Sequence, residues 1–111
     1  MKKQIKWDKY EVALLIESTL RIKQRESSRA EELQKLSDIL RKKAENIGLD
    51  IDDIFRNYNG MSLQVAAIEE LLSFGSSDRH NSRLFEEMVA LYKSDLVKYE
   101  EILAEAHRQS E

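Results

Sequence analysis

Ser28-Arg29-Ala30-Glu31-Glu32-Leu33-Gln34-Lys35-Leu36-Ser37-Asp38-Ile39-Leu40-Arg41-Lys42-Lys43-Ala44-Glu45-Asn46-Ile47-Gly48 carries its own start signal, one apolar face and its own stop. Ser28 and Glu31 stand at the spacing of a capping box, in which the hydroxyl takes the amide three residues on and the carboxylate reaches back. Leu33, Leu36, Leu40, Ala44 and Ile47 recur every three or four residues, the period of one helix face. Arg41, Lys42 and Lys43 fall in the last turns, where cations complement the helix dipole. Gly48 supplies the freedom a helix needs to end. These signals predict a helix over about 28–47.

Toward the N-terminus, Trp7, Tyr10 and Leu14 share a stripe that Val12, Leu15 and Ile16 widen. So broad an apolar arc predicts a helix over about 7–23 that packs on more than one side. Residues 24–27 are polar and unpatterned, a loop. Toward the C-terminus, Asp50 is placed to cap a short helix over 50–55 that turns Ile51, Ile54 and Phe55 inward. A helix over about 60–73 follows, with Met61, Val65, Ile68 and Leu72 on its main stripe and Leu71 beside it. Ala66 and Ala67 would let a neighbour approach closely. Residues 74–82 form a second loop with Gly75, Ser76, Ser77 and Asn81.

In the last segment Phe85, Met88, Tyr92, Leu96, Tyr99, Leu103 and Ala106 keep the helical period without a slip. This predicts one helix over about 81–108, roughly 40 Å long, whose end overhangs and offers Tyr99, Ile102 and Leu103 to a partner. The alternative is a break at Ser94-Asp95 with Ser94 as a new N-cap. The architecture expected is all-α: a single small domain, residues 1–111, of four to five helices with a long C-terminal helix.

Composition agrees. The chain has 111 residues, the size of one domain, with no proline and three glycines. The absence of cysteine excludes disulfides, thiolate metal sites and thiol nucleophiles, and fits a reducing compartment. The longest apolar run is Val12-Ala13-Leu14-Leu15-Ile16, far short of the roughly 18 residues that span a bilayer. The basic start lacks the apolar stretch of a signal peptide. A soluble, cytoplasmic chain with no membrane association is expected. Net charge is −3, but Lys and Arg gather in the N-terminal part and Asp and Glu prevail after it. Such polarity can orient a domain on a polyanion or against a protein.

Catalytic equipment is sparse. His80 and His107 lack a second histidine at ligand spacing, so neither metal nor cofactor is expected. Asp50, Asp52 and Asp53 fail the calcium-loop pattern, because Ile54 and Phe55 fall where an oxygen ligand and a glycine are needed. No Glu-x-x-His, phosphate loop or Gly-x-Ser-x-Gly is present. The chain is not expected to be an enzyme.

One stretch holds chemistry: Phe55-Arg56-Asn57-Tyr58-Asn59-Gly60. Its structural reading is a corner, with the amides capping the next helix, Gly60 allowing a bend and Arg56 pairing with a nearby Asp. Its functional reading is a nucleic-acid contact. A helix N-terminus suits phosphate, and Arg and Asn read base edges. Ser62 and Gln64 follow on the exposed side, and Arg41, Lys42 and Lys43 precede. Nearby acidic residues, Asp50 to Asp53 and Glu69-Glu70, oppose it.

Trp7-x-x-x-Glu11-x-x-Leu14, Leu36-Ser37-x-x-Leu40-Arg41 and Phe55-Arg56-Asn57-x-Asn59-Gly60-Met61 occur in that order. They resemble the N-terminal helical module of bacterial HNH-type restriction endonucleases, modification-dependent ones included, and of related restriction-associated proteins. Phe85-x-x-x-Val89-x-x-Tyr92 resembles the end of that module. The resemblance implies an all-helical module that helps an enzyme recognise DNA through Arg56, Asn57, Asn59 and Gly60. The His-Asn-His nuclease domain is missing, so no cleavage is implied. Gln64 and Val65 stand where the nuclease versions often place a Lys.

Two functions follow as expectations. The first is a non-catalytic helical module of a bacterial DNA-transaction or restriction system that contacts duplex DNA. The second is a protein-interaction or oligomerisation adaptor that uses the C-terminal helix, with a foreign partner or with itself.

Overall fold

A computed structural model describes residues 5–75 and 83–111. Among the described residues there are five helices and no strand: α1 Lys9–Lys23, α2 Arg29–Asn46, α3 Tyr58–Phe74, α4 Arg83–Ser94 and α5 Leu96–Gln109. The expected loop over 74–82 and the start of the last helix at Asn81 fall mostly outside the described residues, as does His80.

The fold is built around α1. Val12 to Ile16 are at most 1 % exposed, and α1 packs against each of the other four helices. Each fully buried aliphatic side chain there contributes about 1.5–3 kcal/mol, and a helix enclosed on several sides is where five apolar residues in a row can all be buried. α2 lays the predicted Leu33, Leu36, Leu40 and Ala44 on this axis, and α3 adds Met61, Val65, Ile68 and Leu71. Leu71 is the fully buried residue, while Leu72 packs at the margin of the core.

Helix ends follow local chemistry. α1 starts two residues later than expected, because Asp8 caps it: Asp8 Oδ1 accepts from the Glu11 amide at 2.8 Å, and Glu11 Oε1 accepts from the Asp8 amide at 3.1 Å. The reciprocal box thus forms at Asp8 and Glu11. At Ser28 only half of one forms, the Glu31 amide donating to Ser28 Oγ at 3.2 Å. α2 ends at Asn46, and Gly48 follows at φ +83° while the Leu49 amide donates back to the Ala44 carbonyl. That bond is the Schellman stop.

Two expected elements differ. Residues 50–55 are turns and no helix. Asp52 helps to organise them, its Oδ1 accepting from the amides of Ile54 and Phe55. Ile54 consequently faces solvent. The long C-terminal helix is broken. Asp95 leaves helical geometry at φ −145°, ψ 76° and caps α5 by accepting from the Lys98 amide, one residue past the alternative cap at Ser94. An unbroken helix of roughly 40 Å would overrun a molecule whose longest extent is 36 Å. The break returns α5 to α1 and buries Tyr99 and Ala106, while Leu96 and Val97 at the bend are left exposed. Among the described residues no helix is long and apolar enough to cross a membrane.

Candidate functional site

The corner at 55–60 is where α2, α3 and the start of α1 meet. Arg56 has a left-handed backbone, φ +48°, a conformation that costs a non-glycine residue about 1–2 kcal/mol. Three contacts from α2 hold it. Ser37 Oγ donates to the Arg56 carbonyl at 2.6 Å, and Arg41 donates to the carbonyls of Phe55 at 2.6 Å and Asp52 at 3.0 Å. Ser37 and Arg41 lie one turn apart on the same helix, so α2 is the template on which the corner is bent.

The bend aims the Arg56 side chain inward. Its Nε donates to Glu11 Oε2 at 2.8 Å, and one terminal nitrogen donates to Glu11 Oε1 at 3.2 Å and to the Ile5 carbonyl at 3.3 Å. The guanidinium carbon sits 4.2 Å from the Trp7 ring centre and 4.5 Å from that of Phe55. The two side chains of the ion pair keep only 10 % and 6 % of their surface in water. Trp7 in turn meets Phe85 edge-on at 5.5 Å, which joins α4 to the corner. Glu11 also caps α1 with Asp8, and the second oxygen of Asp8 accepts from Lys43 Nζ at 2.8 Å, with the lysine 97 % withdrawn from water on its side chain. Arg56, Glu11, Asp8 and Lys43 are therefore one balanced network of two cations and two carboxylates around the first turn of α1. Buried charges require such pairing.

The residues singled out for a DNA contact separate. Arg56 and Lys43 are internal, and Arg41 is spent on backbone carbonyls. Asn57 caps α3, its Oδ1 accepting from the Gly60 amide at 2.8 Å. Gly60 makes no bend. It lies in the first helical turn, where an added Cβ would come 3.1 Å from that cap oxygen. Ser62 and Gln64 are half-buried, and the Ser62 carbonyl accepts from Arg29. Lys42 and Asn59 alone of the set are exposed. The partner of Arg56 is Glu11, 45 residues away, and not a nearby Asp.

The residues singled out for protein contact also move inward. Tyr99 is buried, and its hydroxyl donates to the Ala13 carbonyl at 2.9 Å. Burial lifts its proton affinity well above that of an ordinary phenol, and the nearby charge of Glu17 adds to this. Ile102 and Leu103 are half-buried against the core. A nearly full apolar stripe on α5 signalled burial and not an overhang. His107, further along α5, meets Glu17 of α1 at 3.0 Å. Among the described residues no group of three or more His, Asp or Glu stands together that could hold a metal ion.

A surface that periodicity did not single out lies on the outside of α3. Leu63 is 61 % exposed and Phe74 79 %, with half-buried Ala66 between them. Beside them is an open concavity of about 390 Å³ lined by Arg29, Ala66, Glu69, Glu70, Ser73 and Phe74. Arg29 and Glu69 pair across its rim at 2.7 Å. The signal for this face was the composition of the helix. Its 17 residues hold no cation and only two acids, so Leu63 and Phe74 stand on the outer side among polar neighbours and few charges. No family model matches this chain, and neither a curated protein nor a solved structure matches it.

Proposed function

We propose that this chain is a non-catalytic helical docking module that engages another protein through the outer face of α3. The observation that carries the reading is a pair of large apolar side chains uncovered on one side of α3. Side chains of this kind are mostly enclosed, yet Leu63 and Phe74, on the same face of the helix, stand in water. Exposed apolar side chains grouped on one face are a mark of interaction sites. The cations of the corner support the same reading, since they are neutralised inside the fold by Glu11 and Asp8.

Duplex DNA is the second reading. It is favoured by the exposure of Lys42 and of Asn59 on the first turn of α3, and by the resemblance of the 55–60 run to restriction-associated modules. In both readings the chain assists an activity carried elsewhere.

A photo-crosslinking residue placed at position 63, and separately at 42 and 59, tests the two in cells of the source organism. Protein adducts from position 63 and none from the α2 surface position 34 support docking. Nucleic-acid adducts from 42 and 59 with none of protein from 63 overturn it in favour of the duplex.

A further inference from the structure

We infer that two copies of this chain exchange their C-terminal helices: α4 and α5 straighten into one helix, and each α5 takes the seat that the α5 of the other copy has left. The inference is separate from the α3 face and rests on the bend at Asp95.

A single residue makes that bend. The Asp95 amide still donates to the Leu91 carbonyl at 2.8 Å, and the Tyr99 amide donates to the Asp95 carbonyl at 3.1 Å. Both bonds have the spacing of an α-helix. Only the amides of Leu96, Val97 and Lys98 fall outside the ladder, and that of Lys98 is met by the Asp95 side chain. The apolar stripe of Phe85, Met88, Tyr92, Leu96, Tyr99 and Leu103 keeps its period through the same residues. The local sequence therefore suits a straight helix as well as a bent one.

The seat fits any copy of α5, because it fits its own. The Tyr99 hydroxyl donates to the Ala13 carbonyl, His107 meets Glu17, and Ala106 is fully buried. Asn46 of α2 donates to the carbonyls of Gln109 and Glu111. An α5 arriving from a second chain meets the same atoms in the same register, so exchange keeps each of these contacts. What changes is the hinge. In the bent chain Leu96 is 50 % exposed and Val97 68 %. In the exchanged pair the two straight helices pass each other at the hinge about a two-fold axis. Leu96 and Val97 then meet their counterparts, and the loose amides enter the helix ladder. Straightening also carries the end of the 14-residue α5 about 21 Å past the bend, away from its own seat and toward that of another molecule.

Chain connection opposes the exchange. A short hinge presents α5 to its own seat at an effective concentration in the mM range. The monomer consequently prevails in dilute solution, and the exchanged dimer accumulates as the chain approaches about 1 mM.

Light scattering on a sizing column tests this, after the whole chain is refolded from urea at about 1 mM and at high dilution. The concentrated wild type yields a dimer that decays slowly once diluted, because α5 must detach first. Asp95→Ala removes the cap of α5 and favours the continuous helix, and it yields severalfold more dimer. Leu96→Pro keeps the bend, since proline suits the first position of a helix and breaks an interior, and it yields none. Val97→Glu yields less than the wild type, because it sets like charges where the hinges meet while its acid suits the first turn of α5 in the monomer. Circular dichroism verifies the fold of each variant. Spin labels at the exposed positions 87 and 108, in chains diluted with unlabelled ones, stand about 30 Å apart along a straight helix and closer in the bent monomer. Failure of both the wild type and Asp95→Ala to dimerise overturns the inference. So does a dimer undiminished in a folded Leu96→Pro or Val97→Glu, or a dimer whose labels keep the monomer distance.

Discussion

Replacing Arg56 with alanine separates an internal arginine from one that contacts a ligand. The substitution leaves Glu11 with 6 % of its side chain in water and no cation. Removing one partner of a buried ion pair costs about 3–5 kcal/mol. Loss of the Trp7 and Phe55 faces adds about 0.5–2 kcal/mol, and the surviving bond from the Asp8 amide to Glu11 returns part of it. A net loss of about 4 kcal/mol is expected, a quarter or more of the about 5–15 kcal/mol that stabilises a small domain. Urea unfolding should show it as a midpoint lowered by about 2 M at an unchanged slope.

Two companions sharpen the reading. Arg56→Gly removes the same side chain but relieves the left-handed backbone at φ +48°, so it should be about 1 kcal/mol more stable than Arg56→Ala. Glu11→Leu with Arg56→Met should recover most of the loss, because apolar replacement of both partners abolishes the stranded charge. About 1 kcal/mol stays missing for the halved cap at Asp8. An Arg56→Ala protein within about 1 kcal/mol of wild type would refute the reasoning and return Arg56 to the list of available contacts.

Tyr99 gives a pH dependence. Its phenol ionises at higher pH when folded than an ordinary phenol, at about 10, does in the unfolded chain, so the folded state holds the proton longer. The stabilisation is complete below about pH 10 and is lost as pH rises beyond it, by at most about 1.4 kcal/mol per pH unit. Tyr99→Phe should flatten that alkaline slope in thermal melts and cost about 0.5–1.5 kcal/mol at neutral pH for the bond to Ala13. At the α3 cap, Asn57→Ala should cost about 0.5–2 kcal/mol. Gly60→Ala should fall short of its usual helix benefit, because its Cβ meets the cap oxygen at 3.1 Å. Chemical denaturation of the two variants checks the pair.

The helices were legible because their signals are local. Periodicity found the buried faces of α1, α2 and α3, and Gly48 marked a true stop. The break at Ser94-Asp95 stood only as the alternative to one long helix, for a physical reason. α4 and α5 bury the same kind of stripe on one core, so the apolar period runs through the bend unchanged. The corner was found, and Asn57 caps the next helix as its structural reading expected, but the partner of Arg56 was not legible. An Arg followed by two amides looks like a recognition surface when its partner is 45 residues away, and nothing near Arg56 announces Glu11. Asp8-x-x-Glu11 has the spacing of a capping box, a signal the sequence reading did not use, and a capping glutamate is free to take a second donor. The α3 face was obscured by its own apolarity, which reads as core until the packing shows which side remains uncovered.

The network around the first turn of α1 has a consequence for the order of assembly. Its links join residues 45 and 35 positions apart in the chain, and neither yields a gain until α1, α2 and α3 have docked and expelled water. Contacts of that separation carry a loop-closure cost before they yield a gain, so φ-values near zero are expected for substitutions at Arg56 and Lys43. The network therefore adds little to the speed of folding and chiefly slows escape from the native state. It works as a latch on the finished bundle, one that closes only if all three helices have met in the right register.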